Sequence, residues 1–595
     1  MQRKVKDWIV KYKKQICTLF GGLLFLLAPP VLGMQLELIT TDTTYLLWFA
    51  MRWNIMMIYL LELIILLCTL SFKWSVIITN TFLTIVYSAN YFVYSYRGVP
   101  LRLSDLTAIR TAAHVAGNYR LTPSGQMLKC WILLLLFVLL AGVLKEPFVK
   151  KDWRVRVLGV AAGGAICIGG FFLFVRSDLL KDQGFVTNND FIQTIHYDGY
   201  IVASCLTIDS MHIQAPDGYS AEVAEAILEE FGVVESEIPG EEPPHIILIL
   251  NESFADLRVL GNLELSEENM PFFYSLSENT IRGYVNASVL GGGTANSEFE
   301  VLTGCSMGLL PQTYYPYQQC LLESMPSLVS MVEAEDYTAY SVHPENRNNW
   351  NRSNVYSRLG FDGSFWLEDF QGAEILGNGV SDLETYYKIE ELFENRQENE
   401  HLFVFDITMQ NHGGYTYLEM ETPIIPVNAE YRDADIYLSL IKESDAALEQ
   451  LITYFENQDE KVLICMFGDH QPKLGSEDFY NSIYGATEGL TEEEKLLNMY
   501  KTPFIIWANY DIEEQEGLDI SMNYLGGLLL EAAGIPRSAY FQFLYGLRQE
   551  YPIITANGYV DRDGNFSTWS GEDTEFLEYR ILQYNYLFDK LAEGF

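Results

Sequence analysis

Five apolar runs crowd the first 175 residues, at 16–39, 53–72, 74–94, 127–144 and 155–175. Each is near the roughly 20 residues that a helix needs to cross a bilayer. The first run is followed by four more, so it reads as a retained span and not as a cleaved signal peptide. Arg3, Lys4, Lys6, Lys11, Lys13 and Lys14 precede the first span, and Lys145, Lys150, Lys151 and Arg154 lie between the fourth and fifth. The positive-inside rule keeps both groups cytoplasmic. An odd number of spans then places everything after about residue 176 outside the cell. The expected location is therefore the cell membrane, multi-pass, with a cytoplasmic N-terminus and an extracellular domain. Loop 95–126 carries Arg97, Arg102, Arg110 and Arg120 among Leu, Ala and Ile. It reads equally as a short helix on the lipid surface or as an ordinary connector.

Charge divides the chain at the same place. Residues 1–175 hold 18 Lys and Arg against 7 Asp and Glu, whereas the remainder holds 20 against 72, within a net charge of −41. The acidic part is a poor partner for nucleic acid, which needs clustered Lys and Arg, and its charge is read as a solubility device. Four of the eight Cys lie in apolar stretches, and no CxxC spacing exists, which argues against a thiolate metal site. A Cys305–Cys320 disulfide is compatible with an oxidising compartment.

Residues 1–176 are accordingly read as a five-span transmembrane domain, 177–243 as a helical linker and 244–595 as an extracellular domain. The linker includes an amphipathic stretch at 221–231 and an acidic, proline-bearing stretch at 235–244. Beyond it, short apolar runs alternate with helical stretches: HIILIL (245–250), YTAYSV (337–342), HLFVFDIT (401–408), KVLICMF (461–467) and TPFIIWA (502–508). Their hydrophobicity is continuous, as in strands covered on both faces, so the predicted fold is α/β with a largely parallel central sheet.

Four of these strands end directly in polar clusters. They are Asn251-Glu252-Ser253, the stretch 343–352, Met409-Gln410-Asn411-His412-Gly413-Gly414, and Gly468-Asp469-His470. Ligands of open α/β sheets gather at the carboxyl ends of strands, so the clusters should converge on one edge. A fifth piece, GGGTANSEFEVLTG (291–304), places Thr294 at the start of a helix, where free N–H groups favour an anion. Taken alone, that segment also fits a glycine turn with Thr294 as a cap. Glu252, Asp469 and His470 are oxygen and nitrogen ligands suited to Mn²⁺, Zn²⁺ or Mg²⁺. A hydroxyl beside such an ion becomes a nucleophile.

Together NES, GGGTANSEF, the His343–Trp350–Arg352 spacing, MQNHGGY and FGDHQP resemble the lipoteichoic acid synthase family of the alkaline phosphatase/sulfatase superfamily. The resemblance covers nearly the whole chain, since that family also has five N-terminal spans followed by an extracellular catalytic domain of this type. It implies that Glu252, Thr294, Asp469 and His470 hold one divalent metal ion, Mn²⁺, and that Thr294 is the transiently glycerophosphorylated nucleophile. It further implies that His343, Trp350, Arg352 and His412 bind the phosphoglycerol group. Arg352 suits bidentate phosphate recognition, and His412 a proton donor to a departing alkoxide. Read from the residues alone, Arg352 also fits a surface ion pair, Trp350 core packing and His343 a strand-end cap. The sulfatase CxPxR pattern is absent.

The activity so implied moves phosphoglycerol from phosphatidylglycerol to a cell-envelope glycan, glycolipid or lipoteichoic-acid-type polymer. The alternatives are another metal-dependent headgroup transferase or phosphodiesterase, such as a phosphoethanolamine transferase, and a catalytically inactive surface scaffold.

Overall fold

The computed structural model describes residues 2–39, 48–97, 100–101, 105, 122–143, 153–176, 195, 197–208, 213–233, 243–311, 314–320, 326–415, 418–427, 431–474, 479, 490–571 and 573–589. Most of loop 95–126, the acidic stretch 235–242 and Lys145, Lys150 and Lys151 lie outside the described residues. The rest falls into two compact units, one within residues 1–212 and the other within 213–595.

In the first unit five helices are long and apolar enough to cross a membrane: α1 (Gln2–Glu37), α2 (Trp48–Thr69), α3 (Phe72–Arg97), α4 (Gly125–Gly142) and α5 (Trp153–Phe171). They coincide with the five apolar runs of the sequence. Leu24, Ala28, Leu32, Ile58, Leu83 and Phe137 pack in their interior. The shorter α6 (Tyr200–Ile208) is tied to α2 through Asn54. The Asn54 amide donates to the Asp198 carbonyl at 2.6 Å and accepts from the Val202 N–H at 3.1 Å. A buried amide in an apolar bundle requires such partners.

Eight strands form the central sheet of the second unit: β1 (His245–Asn251), β2 (Thr280–Asn286), β3 (Tyr337–Val342), β4 (Gly363–Phe365), β5 (His401–Ile407), β6 (Val462–Gly468), β7 (Lys501–Ala508) and β8 (Gln515–Ser521). Their spatial order is β8-β2-β7-β6-β1-β5-β3-β4. β6, β1, β5, β3 and β4 are mutually parallel, as are β8 and β2. β7, expected among the parallel strands, runs antiparallel to both neighbours. Direction is invisible in a continuous apolar run, because both kinds of strand bury two faces.

Alternation along β1 shows why the run is apolar throughout. Ile246, Leu248 and Leu250 enter the core on one face of the sheet, and Ile247 and Ile249 the core on the other. The first face is covered by α8 (Thr294–Thr303), α9 (Arg352–Leu359), α12 (Met522–Ala533), α13 (Ala539–Glu550) and α14 (Leu577–Phe588). The second is covered by α10 (Asp382–Glu394) and α11 (Arg432–Glu456). The expected linker 177–243 is divided between the units. Its helix α7 (Ala221–Phe231), capped by Ser220, buries Ala224 and Leu228 in the first core. The disulfide considered above between Cys305 and Cys320 is not formed.

Candidate metal and active site

Parallel register brings the polar clusters level. Asn251 pairs with Gly468, Leu250 with Ile407 and Val342 with Asp406. The residues that follow, Glu252, Asp469, Thr408 and His343, therefore stand at one edge of the sheet. Gly468 is required there by close approach: a Cβ at this position would lie 1.8 Å from the Phe254 carbonyl oxygen. Ser253 adopts a positive φ of 54°, which aims its N–H at Asp469 Oδ1, 2.7 Å away. Such backbone is strained for a residue with a side chain and recurs at functional sites.

Glu252, Asp469 and His470 are buried, and each offers a ligand atom within 4.8 Å of the others. The imidazole of His470 is oriented by Nδ1, 3.0 Å from the Gln471 carbonyl oxygen. A carbonyl only accepts, so Nδ1 carries the hydrogen and Nε2 presents a lone pair. That lone pair lies 3.2 Å from Asp469 Oδ2 and 3.8 Å from Glu252 Oε1. Asp469 Oδ2 and His470 Nε2 have no hydrogen-bond partner. Buried electron-rich atoms facing one another without donors are costly unless a cation lies among them. The chemistry of this donor set thus fits a divalent ion. Burial and then the Glu252 charge push the Asp469 carboxyl up to about 7. Burial acts on Glu252 in the same direction, but His412 and His470 outweigh it and the net shift is downward.

Thr294 opens α8. The cap of that helix is Gly293, with φ 100° and no side-chain hydrogen bond, so the cap reading of Thr294 is set aside. Its hydroxyl instead donates to Glu252 Oε2 at 3.1 Å. Thr294 keeps 8% of its surface exposed, more than Glu252, Asp469 or His470, so it is the least enclosed residue of this cluster.

His343 and Arg352 form a second cluster. Arg352 is buried, which sets aside the surface ion pair, and its guanidinium is held by Glu298 of α8 through Nε, 3.0 Å from Oε1. Tyr356 donates to the same carboxylate at 2.6 Å. Arg352 Nη1 lies 3.0 Å from His343 Nε2, and His343 Nδ1 lies 2.9 Å from the Ile407 carbonyl oxygen. Arginine only donates and the carbonyl only accepts, which fixes the His343 tautomer. Burial and then the Arg352 charge hold the His343 pKa well below its usual value. Trp350 lies beside Tyr315, ring centroids 5.4 Å apart, and packs partly against the core. Its φ of 54° and that of Asn351, 65°, mark this loop as strained. His412 is partly buried in the loop after β5, where its charge acts on both Glu252 and His343.

The sequence reading gave no role of their own to Glu298, Thr408, Asp382 and Asn411. Glu298 stands one helical turn after Thr294, a spacing that puts both on one face. That was the available signal. Thr408 accepts the Glu252 N–H at 3.2 Å.

A metal-type cluster beside a helix-terminal hydroxyl, at the carboxyl edge of a mainly parallel sheet, is the arrangement of the alkaline phosphatase superfamily. Residues 244–535 match the family model described as Sulfatase. A Rhizobium meliloti (strain 1021) protein named for cyclic beta-1,2-glucan modification is 28% identical over 419 residues, 67% of this chain and 63% of the relative. A Staphylococcus saprophyticus lipoteichoic acid synthase is 25% identical over 269 residues, 44% of this chain and 39% of that one. Less than two thirds of either relative's length is spanned. The solved structure of Streptococcus pyogenes phosphoglycerol transferase GacH, in complex with sn-glycerol-1-phosphate, shares the fold, with 21% identity and a TM-score of 0.52 over 64% of this chain and 96% of that one. Residues 244–535 thus form a domain of the sulfatase family, and part of the chain is similar to lipoteichoic acid synthases.

Proposed function

We propose that the protein is a membrane-anchored, metal-dependent transferase that moves phosphoglycerol from phosphatidylglycerol to a cell-envelope acceptor through a phosphothreonine at Thr294. The observation that carries this reading is the Thr294 hydroxyl, hydrogen-bonded to Glu252 beside a cluster of Glu252, Asp469 and His470 in which Asp469 Oδ2 and His470 Nε2 have no hydrogen-bond partner. Those three residues and Thr294 would hold the ion, Mn²⁺ in this reading. It would supply charge stabilisation at the phosphoryl oxygens and acidify the hydroxyl.

The residues then divide the work. Thr294 sheds its proton along its hydrogen bond to Glu252, and its oxygen attacks phosphorus. Arg352, held by Glu298 through Nε and Nη2 and by His343 through Nη1, keeps one further N–H on each terminal nitrogen for the phosphoryl oxygens. As the bond to diacylglycerol breaks, the electron pair stays on the departing oxygen, which takes a proton from His412. Neutral His412 then accepts the proton of an acceptor hydroxyl, which attacks the phosphothreonine; the bond from phosphorus to the Thr294 oxygen breaks, and Glu252 returns the proton that restores the hydroxyl. The five apolar helices keep the domain beside its lipid, which raises local donor concentration. The names of the relatives, a cyclic beta-1,2-glucan modification protein and a lipoteichoic acid synthase, support a glycan or polymer acceptor.

The test offers purified full-length protein headgroup-labelled phosphatidylglycerol and phosphatidylethanolamine in separate vesicles with Mn²⁺. Diacylglycerol release from phosphatidylglycerol alone is expected. Release from phosphatidylethanolamine alone would replace the donor with the alternative class.

A further inference from the structure

Behind the site lies a polar network that the steps above do not use. Asp382, Ser444, Asn251, Asn411 and Gln410 are all buried, and they come from four separate elements. Asp382 is the first residue of α10, Ser444 lies midway along α11, Asn251 ends β1, and Gln410 and Asn411 precede His412. Asp382 Oδ2 accepts from the Ser444 hydroxyl at 2.6 Å and from the Asn251 amide at 2.7 Å. The Asn411 amide donates to Ser444 Oγ at 2.8 Å and to Asn251 Oδ1 at 2.9 Å. Gln410 closes the ring: its Nε2 donates to Ser444 Oγ at 3.1 Å and its Oε1 accepts the Asp382 N–H at 3.1 Å.

Polar groups so deep in a core are tolerated when satisfied, and then they fix one arrangement of the elements that carry them. Apolar packing of α10 on α11 would serve stability alone. Here the bonds converge on the two residues just before His412 and on the residue just before Glu252. A loop after a strand end otherwise has several conformations available, and a misplacement of about 1 Å can cost ~10²-fold in rate.

We propose that Asp382 and Ser444 are a positioning pair that tethers the Gln410–Asn411 segment and so holds His412 where it can protonate the departing oxygen. This rests on the transferase reading given above. In the step concerned, the phosphorus–oxygen bond to diacylglycerol breaks, the electron pair stays on that oxygen, and the imidazolium proton of His412 moves to it.

The test compares Ser444→Ala with the parent, as full-length protein with Mn²⁺, on phosphatidylglycerol and on a p-nitrophenyl phosphodiester. The alkoxide of diacylglycerol needs a proton to leave, whereas p-nitrophenolate does not. Both substrates share the second step, in which His412 acts as a base, so the comparison is made on the first turnover: loss of a positioned acid should slow diacylglycerol release in that turnover about 10²-fold, while the burst of p-nitrophenolate stays within about threefold of the parent rate. Asp382→Asn keeps an acceptor oxygen for Ser444 and Asn251 and is expected to retain most lipid turnover. Asn411→Ala cuts the tether from the loop side and gives the same comparison should Ser444→Ala fail to fold. Equal losses on both substrates, or no loss on the lipid, overturn the proposal. A parent protein that turns over phosphatidylethanolamine and not phosphatidylglycerol refutes the donor assignment alone, and the leaving-group comparison is then read on the lipid that reacts.

Discussion

At the scale of single residues, the site is a problem of charge that a cation solves. His470 Nε2 and Asp469 Oδ2 lie 3.2 Å apart, and neither has a hydrogen-bond partner. Purified parent protein is expected to hold about one divalent ion per chain, and Glu252→Ala or His470→Ala to lose it. Metal analysis checks this, and equal occupancy in the variants would show that the ligands are misassigned. The Asp469 pKa, raised to about 7, sets the pH dependence. Without metal, a carboxyl raised in the folded state contributes stability below its unfolded value that is lost as pH rises through about 7. The metal must displace that proton, so its apparent affinity should rise between pH 6 and pH 8, measurable by metal titration at both. Glu252, Asp469 and His470 were legible in the sequence because each directly follows an apolar strand. Glu298 and Asp382 were not, because an acid in a helix reads as a solvated face until the structure shows Arg352 or Ser444 against it.

At the scale of elements, the strand ends do the positioning. β1 and β6 run parallel in a register that sets Glu252 beside Asp469, with Gly468 allowing Phe254 to pass close by. In Gly468→Ala the added methyl meets a backbone oxygen that cannot swing away. The expected result is a destabilisation of about 1–3 kcal/mol together with weaker metal binding. Chemical denaturation and metal titration of the same variant check the two parts. Five of the eight strands were readable from their apolar runs, and four of these supply the site. β2, β4 and β8 escaped because they carry mixed or short patterns: β2 is TIRGYVN and β8 is QEGLDIS. The antiparallel course of β7 escaped for a different reason, since hydrophobicity records burial and not direction.

At the scale of the whole molecule, five apolar helices precede a domain rich in acid, and the account places that domain outside the cell. A cysteine introduced at the exposed Asp563 should react with a membrane-impermeant maleimide in intact cells. Labelling only after lysis would reverse the orientation. The central claim is the covalent step at Thr294, and mass spectrometry after a short incubation with headgroup-labelled phosphatidylglycerol tests it most directly. The expected result is labelled phosphoglycerol on Thr294 in the parent, none in Thr294→Ala, and loss of diacylglycerol release in that variant with its fold retained. Diacylglycerol release by Thr294→Ala at near-parental rate would contradict the account.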